Sequence, residues 1–219
     1  MKGMMIKDFD LLKSQKSFFL AAGFFVVFFL GVTEQYQFAI SYLTIMCGLI
    51  ALVTISYDEY DNGFPFLFTM PISRKEYVKG KYVFYILISA LGWMLSLLLG
   101  IGTVIIRGGE KEEIMILFFT AAGALGIGML IGAVAVPIQF KFGSDKRQIA
   151  IIASFAVVFV VVYLGEKLME IGGIETSEIM ISLSKIPMGM WAALGTAAVI
   201  VLVLISYLIS VRIMDKKEF

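Results

Sequence analysis

Histidine is absent from this chain, and Cys47 is its only cysteine. A Ser/His/Asp or Cys/His nucleophile, an H-E-x-x-H zinc site and a histidine proton shuttle are therefore excluded, and no disulfide can close within the chain. A phosphate-binding loop of the form G-x-x-x-x-G-K-[ST] is missing too, because Gly80 and Lys81 are followed by Tyr82 and preceded by no glycine at the required spacing. The residues that stand out serve contact and not catalysis. In YDEYDNGFPFLFTMPISRKEYVKGK, the run Phe64, Pro65, Phe66, Leu67, Phe68 and, beyond Thr69, Met70 lies between the acids Asp58, Glu59 and Asp61 and the bases Arg74, Lys75, Lys79 and Lys81. An apolar patch with a charged rim marks a protein contact or a loop that dips into a membrane. Ser73 and Glu76 then match the S-x-x-E capping box, so a helix is expected to start at Ser73 and to hold the run as a rigid knob.

The elements that position this knob follow from where charge is missing. Hydrophobic residues make up 60% of the 219 positions and charged ones 16%. A soluble domain of this size needs a charged shell that is not here, so the surrounding medium is read as lipid. Six intervals carry no charge at all: 17–33, 35–57, 82–106, 114–140, 148–165 and 186–211. A bilayer core of about 30 Å takes about 20 helical residues, so each interval is expected to span it. Residues 58–81 then form a long loop between the second and third spans, and 166–185 a segment on the opposite side.

Lysine and arginine separate cleanly between the two sides. Fourteen fall on the side of the N-terminus: Lys2, Lys7, Lys13, Lys16, Arg74, Lys75, Lys79, Lys81, Lys141, Lys146, Arg147, Arg212, Lys216 and Lys217. Only Arg107, Lys111, Lys167 and Lys185 fall on the other. The positive-inside rule makes both termini cytoplasmic. Residues 1–16 read as a basic amphipathic helix lying along the inner membrane surface, with Met5, Phe9 and Leu12 on its apolar face. The first apolar stretch is too long for a cleavable signal and is followed by no small-x-small site, so it is expected to stay as an anchor.

No span holds an ionisable side chain near its centre, which disfavours proton-coupled transport and ion-selective conduction. Small residues recur instead. Gly92, Ser96 and Gly100 are spaced by four in the third span, and Gly128 and Gly132 make a GxxxG in the fourth. Such faces let helix backbones approach closely, within the bundle, at a dimer contact or at a moving interface. Trp93 lies near mid-bilayer, where its indole N–H needs a partner. Tyr82, Tyr163, Trp191 and Tyr207 lie near span ends, as interfacial anchors do.

The segments YDEYDNGFPFLFTMPISRKEYVKGKY and FKFGSDKR, in a six-span layout covering nearly the whole chain, resemble the permease subunits of type-2 ATP-binding-cassette exporters. The similarity is to the short bacterial six-span group that includes permeases of phenol-soluble modulin and bacteriocin exporters. The resemblance implies an all-α, multi-pass protein of the bacterial cell membrane, with an N-terminal interfacial helix and a cytoplasmic coupling helix that docks on an ATPase. Carried over, Gly63, Phe64, Pro65, Phe66, Leu67, Phe68 and Met70 would be the docking knob, with Glu59 and Arg74 relaying motion into the flanking spans. Residues 165–187, broken at Gly172 and Gly173, would correspond to short external helices. ATP and magnesium would sit on a separate ATPase subunit and no cofactor on this chain. Its partners would be that ATPase, a second permease of the same or a related chain, the lipid bilayer and an amphipathic peptide substrate, with no nucleic acid. Trp93, Ser96, Gly100, Gly128 and Gly132 are candidates for the cavity or the bundle interface. The alternative is a membrane immunity or sensor protein that binds a peptide without an ATPase; it leaves the apolar loop tip without a purpose. An intramembrane enzyme is weaker still, because the Ser, Thr, Tyr and Gln side chains in the spans have no activating base nearby.

Overall fold

The computed structural model describes residues 2–32, 35–60, 63–69, 71–143, 147–171 and 188–217. Every regular element among them is a helix: α1 Lys2–Ser14, α2 Lys16–Gly31, α3 Tyr36–Glu59, α4 Gly63–Leu67, α5 Arg74–Ile106, α6 Lys111–Phe142, α7 Arg147–Ile171 and α8 Met188–Lys216. Four helices are long and apolar enough to cross a membrane, namely α3, α5, α6 and α8 from Ala193 onward. The 16-residue α2 meets α1 at a bend of 64°, and the pair gives a fifth candidate if read as one broken span. In α7 the apolar stretch Gln148–Val160 is shorter, although the helix runs on past the expected span end to Ile171. The described residues are thus all-helical, with four or five candidate spans among them, where the charge map predicts six. Of the segment 165–187, expected to hold short external helices, residues 165–171 continue α7 and 172–187 lie outside the described residues.

Helices α3, α5 and α6 pack on one another and α8 lies against α6 and α5, while α2 leans on α3 and α7 borders α6. The stripe of small residues sets the α3–α5 seam. Cys47 fills the space beside Gly92, Thr44 Oγ1 and Ser96 Oγ share a hydrogen bond of 2.8 Å, and the Ile40 side chain fills the space beside Gly100. Residues at i, i+4 and i+8 of α5 thereby meet one face of α3 inside the chain. In α6 the two glycines differ: the Tyr85 ring lies where a Cβ on Gly132 would be, whereas a Cβ on Gly128 would meet nothing. The Tyr85 hydroxyl donates to the Gly128 carbonyl.

Pro137 lies inside α6 and offers no N–H to the carbonyl of Ala133, four residues earlier. That carbonyl accepts from Ser206 Oγ of α8. Tyr82 Oη shares hydrogen bonds with Ser206 and with Ser210, at 2.6 and 2.9 Å, and its ring meets Tyr207 edge-on. Tyr82 is therefore an internal pin joining α5 to α8 and not the interfacial anchor its position suggests. Tyr163 is exposed. Trp93 is half-buried, edge-on to Phe118 at 6.1 Å, and its Nε1 is buried with no hydrogen-bond partner among the described residues.

Candidate functional site: the knob and the ionic cluster beneath it

The knob is built from the start of α5. Ser73 adopts extended backbone and accepts from the Glu76 N–H at 3.2 Å, while the Glu76 carboxylate accepts from the Ser73 N–H at 3.0 Å. Those bonds from Ser73, backbone first, hold the Glu76 carboxyl below its ordinary value. The capping box expected from S-x-x-E is thus complete, and α5 rises rigidly from it for 33 residues. At 1.5 Å per residue that is about 50 Å, so the helix exceeds a bilayer core of about 30 Å. Its first turns stand beyond the uncharged interval that begins at Tyr82.

Against these turns lies α4. Its start needs glycine, since a Cβ on Gly63 would come within 2.5 Å of the Asp58 carbonyl oxygen. Phe64 and Leu67 turn inward, with Phe64 only 2% exposed and edge-on to Tyr77 at 5.6 Å. Phe68 is half-buried and meets the same ring at 5.9 Å. Pro65 and Phe66 turn outward, Phe66 at 70% exposure. The run read from the sequence as one apolar knob is thus divided between two faces. In a short helix, positions three and four apart share a face, so half the apolar run seals the knob onto the bundle and half is presented. Met70 lies outside the described residues.

Glu59 and Arg74, the polar groups flanking the run, both reach the end of α8. Lys217 Nζ donates to Glu59 Oε1 at 2.6 Å and to the Phe140 carbonyl at 3.1 Å, and it lies 4.9 Å from the Phe64 ring centroid. Arg74 donates to the carbonyls of Met214 and Asp215 at 3.0 and 2.8 Å, capping the last turn of α8, and lies 6.0 Å from the Phe68 ring. The same Glu59 carboxylate occupies the space where Gly143 would carry a Cβ. Gly143 ends α6 at φ +83°, a left-handed conformation suited to glycine.

Beneath the knob lies an ionic cluster. Lys81, one of the bases that bracket the apolar run in the sequence, has a side chain only 1% exposed and sits between Asp58 at 2.6 Å and Asp8 at 2.8 Å. Thr54 offers it a carbonyl and a hydroxyl, each at 3.3 Å. Tyr77 Oη donates to Asp58 Oδ2 at 3.0 Å, and Lys7 also pairs with Asp58. Two carboxylates and two ammonium groups thus balance, in a place where an isolated charge would be costly. Burial pushes the Asp8 carboxyl above its ordinary value, against the pull of Lys81. Burial, and after it the Asp58 charge, holds the Tyr77 phenol well above its ordinary value, so it stays a donor.

Asp8 brings α1 into this cluster and, with Met4, widens the face expected of that helix. Met4, Asp8 and Leu12 are buried, with Met5 and Phe9 half-buried beside them. Met4 fills the space beside Gly80 of α5, and Phe9 lies edge-on to Phe84 at 5.3 Å. The inward face of α1 carries an acid because it meets a lysine, not lipid alone. The i, i+4, i+8 spacing of Met4, Asp8 and Leu12 is the one signal in the sequence that could have shown it. Trp93, Ser96, Gly100, Gly128 and Gly132 lie in the α3–α5–α6 packing described above, away from the knob. Among the described residues no group of acids and Cys47 could hold a metal ion.

The site is thus an apolar knob held on a rigid helix over a neutral ionic cluster, in a bundle of long apolar helices. No curated protein and no solved structure matches the chain. A family model, that of the ABC-2 family transporter protein, matches residues 3–215. That match takes in α1, the knob, the ionic cluster and the end of α8 as far as Asp215, and the chain accordingly belongs to the ABC-2 transporter family, as a multi-pass membrane component of an ABC exporter.

Proposed function

We propose that this chain is a permease subunit whose α4 knob docks on a separate ATPase that binds ATP and magnesium. It works beside a second permease of the same or a related sequence and moves amphipathic peptides out of the cell or its membrane. On this reading the α4 end of the bundle faces the cytoplasm, as do both termini, and the uncharged parts of α2 and α7 complete six spans. The fourteen-to-four split of lysine and arginine supports the orientation. The family match supports the ATPase partner.

The observation that carries the docking role is Phe66. It is 70% exposed on a helix whose other face, Phe64 and Leu67, is sealed onto the bundle. An exposed aromatic on a rigid mount suits an interface anchor, and such anchors dominate binding energy. Motion delivered at Phe66 would pass through Phe64 and Tyr77 into α5, and through Arg74 and Glu59 into α8.

The test is co-purification. The full chain is co-expressed with its ATPase, and Phe66→Asp is compared with the parent. The variant is expected to insert in the membrane at the parent's level and to lose the ATPase, with affinity falling about 30-fold or more, the effect of one interface anchor. Undiminished co-purification would refute the docking role.

A further inference from the structure

We propose that the groove beside the α1–α2 bend binds one acyl chain of an anionic phospholipid, taken from the leaflet on the α4 side. The groove has a volume of about 390 Å³ and is walled by Phe9 and Leu12 of α1, Phe19 of α2, Ile50 of α3, and α5 from Ile88 to Leu95. It follows from the 64° bend, which swings α2 away from the line of α1 and leaves a gap over α5. The α1 wall is fixed in place, since Phe9 packs on Phe84 and Asp8 on Lys81.

The lining decides the class of occupant, since apart from Lys13 its side chains are apolar, from Phe9 and Leu12 to Ile88, Leu91 and Leu95. An extended peptide would leave its backbone N–H and C=O groups without partners against it, which is prohibitive at membrane depth. A polymethylene chain has no such groups, and the groove is accordingly assigned to a lipid tail.

Charge decides the headgroup. Lys13 is the one charged residue in the lining, and Lys16 is exposed one turn further on. Lys13 pairs with Asp10 at 3.0 Å, but both side chains are largely exposed, so the pair is weak and can exchange for a phosphate. Anionic lipids concentrate in the cytoplasmic leaflet, where juxtamembrane lysines attract them. The choice of an anionic headgroup rests on the orientation proposed above, with the α4 end toward the cytoplasm, and not on docking to an ATPase.

For the test, the full chain is reconstituted in phosphatidylcholine vesicles doped with phosphatidylglycerol that carries a photoreactive diazirine in its tail. Adducts are mapped by mass spectrometry and compared with those from equally labelled phosphatidylcholine. Adducts are expected on Phe19, Ile50 and Leu95, about fivefold more abundant for phosphatidylglycerol, the factor for one lysine near an anionic surface. Lys13→Gln should reduce them to the phosphatidylcholine level, and Leu91→Trp, which fills the groove, should remove them. Should Leu91→Trp fail to fold, competition by unlabelled phosphatidylglycerol on the parent chain answers the same question, because a site saturates and bulk lipid does not. Equal yields from the two headgroups, labelling that does not saturate, or adducts spread evenly over outward residues such as Leu98 and Ile106 would overturn the proposal. No ATPase is present, so the result is independent of the Phe66 experiment.

Discussion

Replacing Lys81 with methionine should be among the most damaging single changes in the chain, although the new side chain is apolar and similar in shape. The native cluster is neutral: Asp8 and Asp58 are balanced by Lys81 and Lys7. Removing Lys81 leaves two buried carboxylates sharing Lys7, whose side chain is 38% exposed and cannot compensate both. Breaking a buried pair from one side costs about 3–5 kcal/mol, most of it from the charge left behind. For a chain of this length each kcal/mol moves the melting temperature by about 2–4 °C, so the variant should melt about 6–20 °C below the parent. The control is Asp8→Asn/Lys81→Met, which restores neutrality by leaving the Lys7–Asp58 pair. A double-mutant cycle should show the second change recovering about 2–3 kcal/mol. The pH dependence separates the two. In Lys81→Met the Asp8 carboxyl, already raised by burial, loses its nearest cation and titrates higher still. The folded state then holds a proton that the unfolded chain has released, and stability falls as pH rises through that window. Lowering the pH from about 7 to about 5 should therefore stabilise Lys81→Met and leave the double variant flat. Both are read by thermal unfolding of purified protein in one detergent. Equal stability of the single and double variants, within about 0.5 kcal/mol of the parent, would refute the idea that the cluster is a charge-balanced joint.

Three further outcomes follow from the packing. Phe64→Ala should lose about 3–5 kcal/mol by leaving a cavity against Tyr77, whereas Phe66→Ala should stay within about 0.5 kcal/mol of the parent; thermal unfolding of the two compares them directly. Gly132→Ala should displace the Tyr85 ring and lose about 1–3 kcal/mol, while Gly128→Ala, with open space at its Cβ, should be tolerated. Ser73→Ala removes the cap of α5 and should lose about 1 kcal/mol, seen also as faster hydrogen exchange at Tyr77 and Val78.

Much of the fold was legible because hydrocarbon is an unforgiving solvent. The uncharged intervals 35–57, 82–106, 114–140 and 186–211 overlap α3, α5, α6 and α8, and S-x-x-E gave the N-cap of α5. The knob was legible as a segment but not as a surface, because the split between Phe64 and Phe66 depends on how α4 is turned against Tyr77. The burial of Lys81 was hidden for a related reason. A lysine at the end of an apolar interval looks the same whether it extends to water or turns inward, and its partners lie 73 and 23 positions away, at Asp8 and Asp58. The hold of Glu59 and Arg74 on the end of α8 was equally hidden, since Arg74 grips backbone carbonyls, which every residue carries.

The proline of α6 constrains how such a machine can move. By withholding its own N–H, Pro137 makes Ala133 depend on a hydroxyl from a neighbouring helix, Ser206 of α8. Sliding α8 past α6 would abandon that oxygen among lipid tails, at several kcal/mol. Under the function proposed above, the two helices would travel as one plate through an export stroke, and the shear that opens a passage would fall elsewhere in the bundle.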